Sequence, residues 1–282
     1  MHNEYLKGAL LTALGVTILS FDALLIRLID AHSFGLIFWR GCLLSLVVYI
    51  WCKQYRPAGK IFQFDAAMLR SAALFAISSF SFVSAIKITS AANVLVIISA
   101  TPMVSAVLAH IFLKEKSPPV TWIAIFFCMG GIVWVLKDGW HSGEMLGDMF
   151  AVLCCLGISA KFVNDRHARS RDMTPALILA GIMMAVIAAG LANPFIMAPQ
   201  DWVWIFALCV VVLPSAFILI TLGPMRIPAA EVSMMMLLET ALGPLWVWLI
   251  LQEVPPTSTL QGGSVVILTL LAHSILRWRK QP

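Results

Sequence analysis

Apolar stretches of about 20 residues follow one another along the chain at intervals of about 25 to 30, with only short polar punctuation between them. Water offers no fold that buries so many such stretches, whereas about 20 helical residues are what the hydrocarbon core of a bilayer requires. A barrel would show alternation in segments of about ten residues instead. Composition agrees, because only 12% of the residues are charged and 61% are hydrophobic, against roughly a quarter charged in a soluble domain. The gaps leave no room for a soluble domain.

The chain is therefore expected to be an all-α, polytopic membrane protein of ten transmembrane helices. They fall near 5–29, 33–51, 67–87, 91–113, 119–137, 145–165, 174–193, 201–221, 229–251 and 258–277. The first span lacks a small-residue cleavage site after a short apolar core and is read as retained. Cytoplasmic loops of membrane proteins are enriched in Lys and Arg, and an inside N-terminus gathers 14 of the 19 basic residues on one side, among them Arg70, Lys114, Arg166 and Arg169. Both termini are then cytoplasmic, and the net charge of +5 calls for no nucleic-acid partner. Cysteines 42, 52, 128, 154, 155 and 209 lie nearly all within spans and form no C-x-x-C pair. No metal site, disulfide framework or cofactor is expected.

Many carriers are built from inverted repeats. At a fixed offset of 138, Ala91 falls on Ala229, Ala92 on Ala230, Val94 on Val232, Leu113 on Leu251, Glu115 on Glu253, Pro118 on Pro256 and Thr121 on Thr259. At 139, Gly8 falls on Gly147 and Arg27 on Arg166. Five spans per repeat is an odd number, so residues 139–282 form a second repeat inverted relative to 1–138, and the two five-helix repeats are expected to surround a central cavity.

The Ala-Ala pairs that open spans 4 and 9, Pro102 within span 4, and the Glu closing each span ("LAHIFLKEKSPP" and "WLILQEVPP") are arranged as in a known family. So are "FWRG" at 38–41 and the Gly-Gly pairs 130–131 and 262–263. Over essentially its whole length the chain resembles the drug/metabolite transporter superfamily, EamA type. It departs at Thr240, where the second half often has proline, while Pro244 lies four residues on. The resemblance implies an inner-membrane carrier with a cavity lined by both halves and working by alternating access; it implies no particular solute.

Charges inside the spans are the candidate working residues, because an ionised side chain in hydrocarbon costs several kcal/mol unless paired or wetted. At 1.5 Å per residue, Asp22 in span 1 and Arg40 in span 2 both lie about 10 Å below the outer surface and can pair. Such a pair either packs two helices or contacts a solute or gate. Lys161 in span 6 and Glu231 in span 9 share a depth near the inner surface, giving a second expected pair, unless Lys161 snorkels to the headgroups. Glu239 lies about 15 Å from the inner edge of span 9, with no basic residue at its depth. It is expected either to face a wet cavity, binding solute or a coupling proton, or to be a neutral hydrogen-bonding group. Glu231, Met235 and Glu239 lie within an arc of about 80° on one helix face, a stripe suited to line that cavity. Trp39 and Asn93 are further cavity candidates. Pro102, Gly243 and Pro244 are candidate hinges.

The expected function is a secondary transporter for a small metabolite, an amino-acid-like solute or a drug-like cation, with protons as a candidate coupling ion and with the lipid bilayer and solute as partners, as a monomer or homodimer. A flippase for a lipid-linked solute is the alternative within transport. A membrane enzyme would have to use the loop "NDRHARSRD" at 164–172, which lacks spaced Asp-rich pairs and whose arginines would repel a divalent metal; an enzyme is not expected. The topology makes a direct prediction. In intact cells, single cysteines placed at 53–65 and 165–173 are shielded from an impermeant outside thiol reagent, and cysteines at 138–144 react. Strong outside labelling at position 169 overturns the inverted arrangement.

Overall fold

The structure is a computed structural model that describes residues 2–55, 65–114, 119–142, 145–168, 172–191, 193–222 and 235–278. Every element assigned among the described residues is helical. In chain order these are α1 (His2–Leu19), α2 (Asp22–Leu28), α3 (Ser33–Tyr55), α4 (Ala66–Ile88), α5 (Ala91–Ile98), α6 (Thr101–Leu113), α7 (Pro119–Ser142), α8 (Met145–His167), α9 (Pro175–Leu191), α10 (Asp201–Phe206), a π-helical segment (Ala207–Val212), α11 (Leu213–Leu222), α12 (Leu237–Leu251) and α13 (Thr257–Trp278). Among the described residues, six stretches are long and apolar enough to cross a membrane: Leu6–Leu28, Ser33–Tyr55, Ala66–Ile88, Ala91–Leu113, Met145–His167 and Asp201–Leu222. Pro119–Val135, Pro175–Leu191 and Leu238–Leu251 are shorter apolar helices. The chain is a helical, multi-pass membrane protein.

Several expected continuous helices are interrupted, each for a local chemical reason. Span 1 breaks between α1 and α2 at Ser20–Phe21, where the Ser20 hydroxyl donates to the Thr17 carbonyl at 2.7 Å. Span 4 breaks at Ser99–Ala100, where Ser99 Oγ donates to Val96 O and Thr101 Oγ1 to Ile98 O, each at 2.5 Å. Hydroxyls thus satisfy carbonyls that lose helical partners, as hydrocarbon demands. Pro102 lies in the first turn of α6, where its missing N–H costs nothing. In span 8 the π-helical segment leads into α11, whose second residue is Pro214; its ring and absent N–H cannot continue the ordinary ladder. Spans 4 and 9 end alike: Lys114 (φ 55°) and Gln252 (φ 56°) are left-handed caps of α6 and α12, 138 positions apart.

The most extensive helix contacts pair α3 with α9, α4 with α8, α7 with α13 and α1 with α11. In span numbers these are 2 with 7, 3 with 6, 5 with 10 and 1 with 8, and exchanging each span with the one five places along returns the same set. Between membrane helices, association depends on close packing of small residues and not on expulsion of water. Gly41 on α3 and Gly181 on α9 provide it: a Cβ on Gly41 would stand 2.3 Å from Gly181 O, and one on Gly181 would stand 2.2 Å from Ser45 Oγ. Gly131 on α7 and Gly262 on α13 repeat the device, with Cβ positions 2.8 and 2.6 Å from the opposite carbonyl oxygens.

A substitution at these crossings forces two backbones apart. Gly181→Val is expected to destabilise the protein by about 1–3 kcal/mol or more, whereas Gly130→Val, with nothing within 4 Å of its Cβ position, is expected to stay within about 0.5 kcal/mol. Thermal unfolding of the two variants in the same detergent checks the contrast.

Candidate functional site

Three interrupted or freshly started helices converge on one small cavity. Its wall includes Leu19 at the end of α1, Asp22 at the start of α2, Ile98 at the end of α5, and Met236 and Glu239 around the start of α12. Arg40 from α3 and Ser78, Ser79 and Phe82 from α4 complete its polar and aromatic sides. The cavity measures about 40 Å³, room for a water molecule or two. A metabolite would require it to expand.

Asp22 and Arg40 meet there in a bidentate salt bridge. Arg40 Nη1 donates to Asp22 Oδ1 at 2.6 Å and Nη2 to Oδ2 at 2.8 Å, and both residues are 1% exposed. The geometry suits a planar guanidinium against a carboxylate. Nε of the same guanidinium donates to Ser79 Oγ at 3.0 Å, and its carbon lies 5.9 Å from the centroid of the Phe82 ring. One side chain of span 2 is thereby bonded to spans 1 and 3. The break at Ser20–Phe21 allows this, since Asp22 opens a new helix and its carboxylate is free to turn inward.

Glu239 occupies the same wall and is 6% exposed. Among the described residues its carboxylate has no hydrogen-bond or ion-pair partner. Its own helix is held against the two other breaks: Trp246 Nε1 donates to Ser20 Oγ at 3.1 Å, the Trp246 ring stacks on Phe21 with centroids 5.0 Å apart, and Thr240 Oγ1 donates to Leu95 O at 3.4 Å. A Cβ on Gly243 would lie 2.5 Å from Leu95 Cδ1, so this glycine serves a contact between spans 4 and 9. Asp22 and Arg40 cancel, leaving Glu239 to set the net charge of the wall. A proton or a cationic group neutralises it.

Other candidate residues fall elsewhere. Met235 is half-buried, and its neighbour Met236, at a turn, lines the cavity with Glu239 instead. Glu231 lies outside the described residues. Lys161 pairs with Asp165, one helical turn on, with Nζ to Oδ2 at 2.6 Å and 1% exposure. It neither snorkels nor depends on Glu231 for this bond; the i,i+4 spacing was the available signal. Asp165 also accepts from Ser71 Oγ at 2.6 Å, tying α8 to α4. Trp39 donates Nε1 to Pro194 O at 2.9 Å and packs on Trp202 and Phe195, apart from the cavity lining. Asn93 accepts from Thr259 Oγ1 and faces Thr89, linking α5 to α13 at one end of the bundle, while Ser90 caps α5. Of the candidate hinges, Pro102 follows a break, while Pro244 lies inside α12, which continues through it.

That end of the bundle carries polar links which depth estimates alone did not reveal. Arg27 Nη2 donates to Thr89 O at 2.6 Å and to Glu253 Oε1 at 3.2 Å, and the same Glu253 oxygen accepts from Ala91 N at 3.2 Å. Thr89 Oγ1 donates to Asp148 Oδ1 at 3.1 Å, Asp30 N to Asp201 Oδ1 at 3.0 Å, and Lys87 Nζ to Ile29 O. These bonds close the end opposite Arg70 and His167. The 164–172 stretch, expected as a loop, begins as the last turn of α8, and residues 169–171 lie outside the described residues; Asn164 donates to Ala67 O, Asp165 is committed to Lys161 and Ser71, and Asp172 accepts from Thr174. Among the described residues no group of three His, Cys, Asp or Glu side chains is placed to hold a metal ion.

Residues 6–137 match the EamA-like transporter family, which belongs to the drug/metabolite transporter superfamily and is a family of transporters and not of enzymes. No curated protein matches the sequence. A solved structure, described only as the crystal structure of a protein, superposes with a TM-score of 0.73 over 95% of this chain and 97% of its own, at 14% identity. That likeness concerns the fold.

Removing one partner from a buried pair costs about 3–5 kcal/mol because the remaining charge is stranded. Asp22→Asn is expected to lower the unfolding temperature strongly, and the exchange Asp22→Arg with Arg40→Asp to recover part of the loss. Thermal unfolding in detergent measures both; harmless single changes would mean that the pair carries no such energy.

Proposed function

We propose that this chain, whose residues 6–137 match the EamA-like transporter family of the drug/metabolite transporter superfamily, is a secondary carrier that moves a small solute across the inner membrane by alternating access, coupled to protons through Glu239. The observation that carries the reading is the buried Glu239 carboxylate, without a hydrogen-bond or ion-pair partner among the described residues, on the wall of a cavity where three helices are interrupted or begin. Carriers commonly bind solute where discontinuous helices meet near the midplane. An ionised carboxylate there costs several kcal/mol unless it is compensated. A proton gained on one side of the membrane and lost on the other therefore changes the energy of the cavity by an amount large enough to couple to solute movement.

Inversion of residues 139–282 relative to 1–138 supports the alternating part of the cycle. Favouring it are the set of helix pairs, unchanged when each span is exchanged with its counterpart, and the matching left-handed caps at Lys114 and Gln252. In the cycle we envisage, the Arg27–Glu253 end opens while the opposite end closes, and the cavity expands from its present size to admit a metabolite, an amino-acid-like solute or an organic cation. Ten spans with both termini in the cytoplasm follow from the same scheme.

Glu239→Gln tests the coupling in proteoliposomes. The amide stands in for the protonated acid, so the variant is expected to fold, to lose accumulation driven by a pH gradient, and to keep solute exchange down a concentration gradient. Weakening of both activities would instead assign Glu239 to binding a cationic group of the solute. Accumulation with an unchanged pH dependence would make the residue structural and remove the proposal.

A further inference from the structure

A second cavity lies on the flank of the bundle, away from the interrupted helices. It is a groove of about 300 Å³ between α4, α6 and α8. All three helices terminate at its mouth: Arg70 is in the second turn of α4, Leu113 is the last residue of α6, and His167 the last of α8. From the mouth the groove runs inward along Leu74, Leu108 and Phe112, about one turn of helix from Arg70 to Leu74 and again from Phe112 back to Leu108. Phe112 is 73% exposed and forms an open aromatic rim. The cavity is thus polar and basic at one end and hydrocarbon-like along the rest.

From this polarity we infer that the groove binds an anionic phospholipid, with its phosphate at Arg70 and His167 and the start of an acyl chain against Leu74, Leu108 and Phe112. The first support is the state of the donors. Arg27, Arg40, Lys87 and Lys161 are each bonded to a protein oxygen, whereas the exposed Arg70 and His167 have no hydrogen-bond or ion-pair partner among the described residues. The second is level. The mouth sits where three helices of a membrane protein end, so its cation stands at headgroup depth while the walls below it face acyl chains. Lys114, which caps α6 directly after Leu113, adds positive charge at the same end. Basic pockets between transmembrane helices recognise anionic headgroups by this combination. A free phosphate ion would use the mouth but gain nothing from the apolar walls, and a zwitterionic lipid would fill the walls but bring a cation to the arginine.

α8 packs against both α4 and α6, and all three helices line the groove, so its occupant would touch segments far apart in sequence. This inference requires a membrane location but not the transport reading, and its test does not use transport. The purified full-length chain, stripped of lipid in neutral detergent, is titrated separately with phosphatidylglycerol and phosphatidylcholine, and bound lipid is counted by native mass spectrometry. One phosphatidylglycerol per chain is expected to bind at least tenfold more tightly than phosphatidylcholine and to resist millimolar inorganic phosphate. Arg70→Gln with His167→Gln is expected to abolish the preference, while Arg70→Lys, which keeps the charge, retains most of it. Both replaced side chains lack partners among the described residues, and the unfolding temperature in detergent without lipid, expected to be unchanged, verifies that the double variant is folded; if it is not, Arg70→Gln alone is read against Arg70→Lys in the same way. Equal binding of the two lipids, displacement by phosphate, or an undiminished preference in the Gln variant would each overturn the inference.

Discussion

A break in a helix inside hydrocarbon is tolerated only when its polar groups find partners within the protein, and the Asp22–Arg40 pair is the interaction around which this protein arranges its breaks. Asp22 lies in the first turn of α2, where a carboxylate is favoured by the positive end of the peptide dipoles. Arg40 neutralises it in bidentate fashion and also bonds Ser79. Spans 1, 2 and 3 are therefore fixed to one another by a single guanidinium. With that pair self-cancelling, the character of the central cavity is left to Glu239 and to the phenylalanines Phe75, Phe82 and Phe217 around it.

The remaining packing distinguishes contacts that hold from contacts that can be exchanged. Gly41 against Gly181, and Gly131 against Gly262, bring helix backbones to distances that only glycine permits, and such crossings behave as rigid units. The end of the bundle around Arg27 is of another kind. Its bonds to Thr89 and Glu253 are made by side chains about a quarter exposed, and exposed pairs contribute little each. At the same end, however, Asp148 and Asp201 are buried and accept from Thr89 Oγ1 and Asp30 N, so only the Arg27–Glu253 pair there, among the described residues, is of the exposed, weak kind. By contrast, Lys161, Asp165 and Ser71 form a buried link between α8 and α4, and dividing it would strand a charge.

The sequence by itself determined the class of protein, because runs of about 20 apolar residues admit no other use, and it ordered the buried charges along their helices, because a helix rises a fixed distance per residue. That ordering brought Asp22 and Arg40 to one level, but it set Glu239 apart from every basic residue, whereas the packing of the helices puts Arg40 and Glu239 on the wall of one small cavity. What the sequence left undecided was azimuth and continuity. Asn93 and Trp39 lie at suitable positions along their helices yet turn to Thr259 and Pro194. Met235 shares a helix face with Glu239 by spacing, yet Met236, at a turn, is the methionine on the cavity wall. Lys161 found its partner one turn away on its own helix. Only tertiary structure decides such matters, since a helix shows neighbours to all sides and the direction a side chain takes depends on which other helix closes against it.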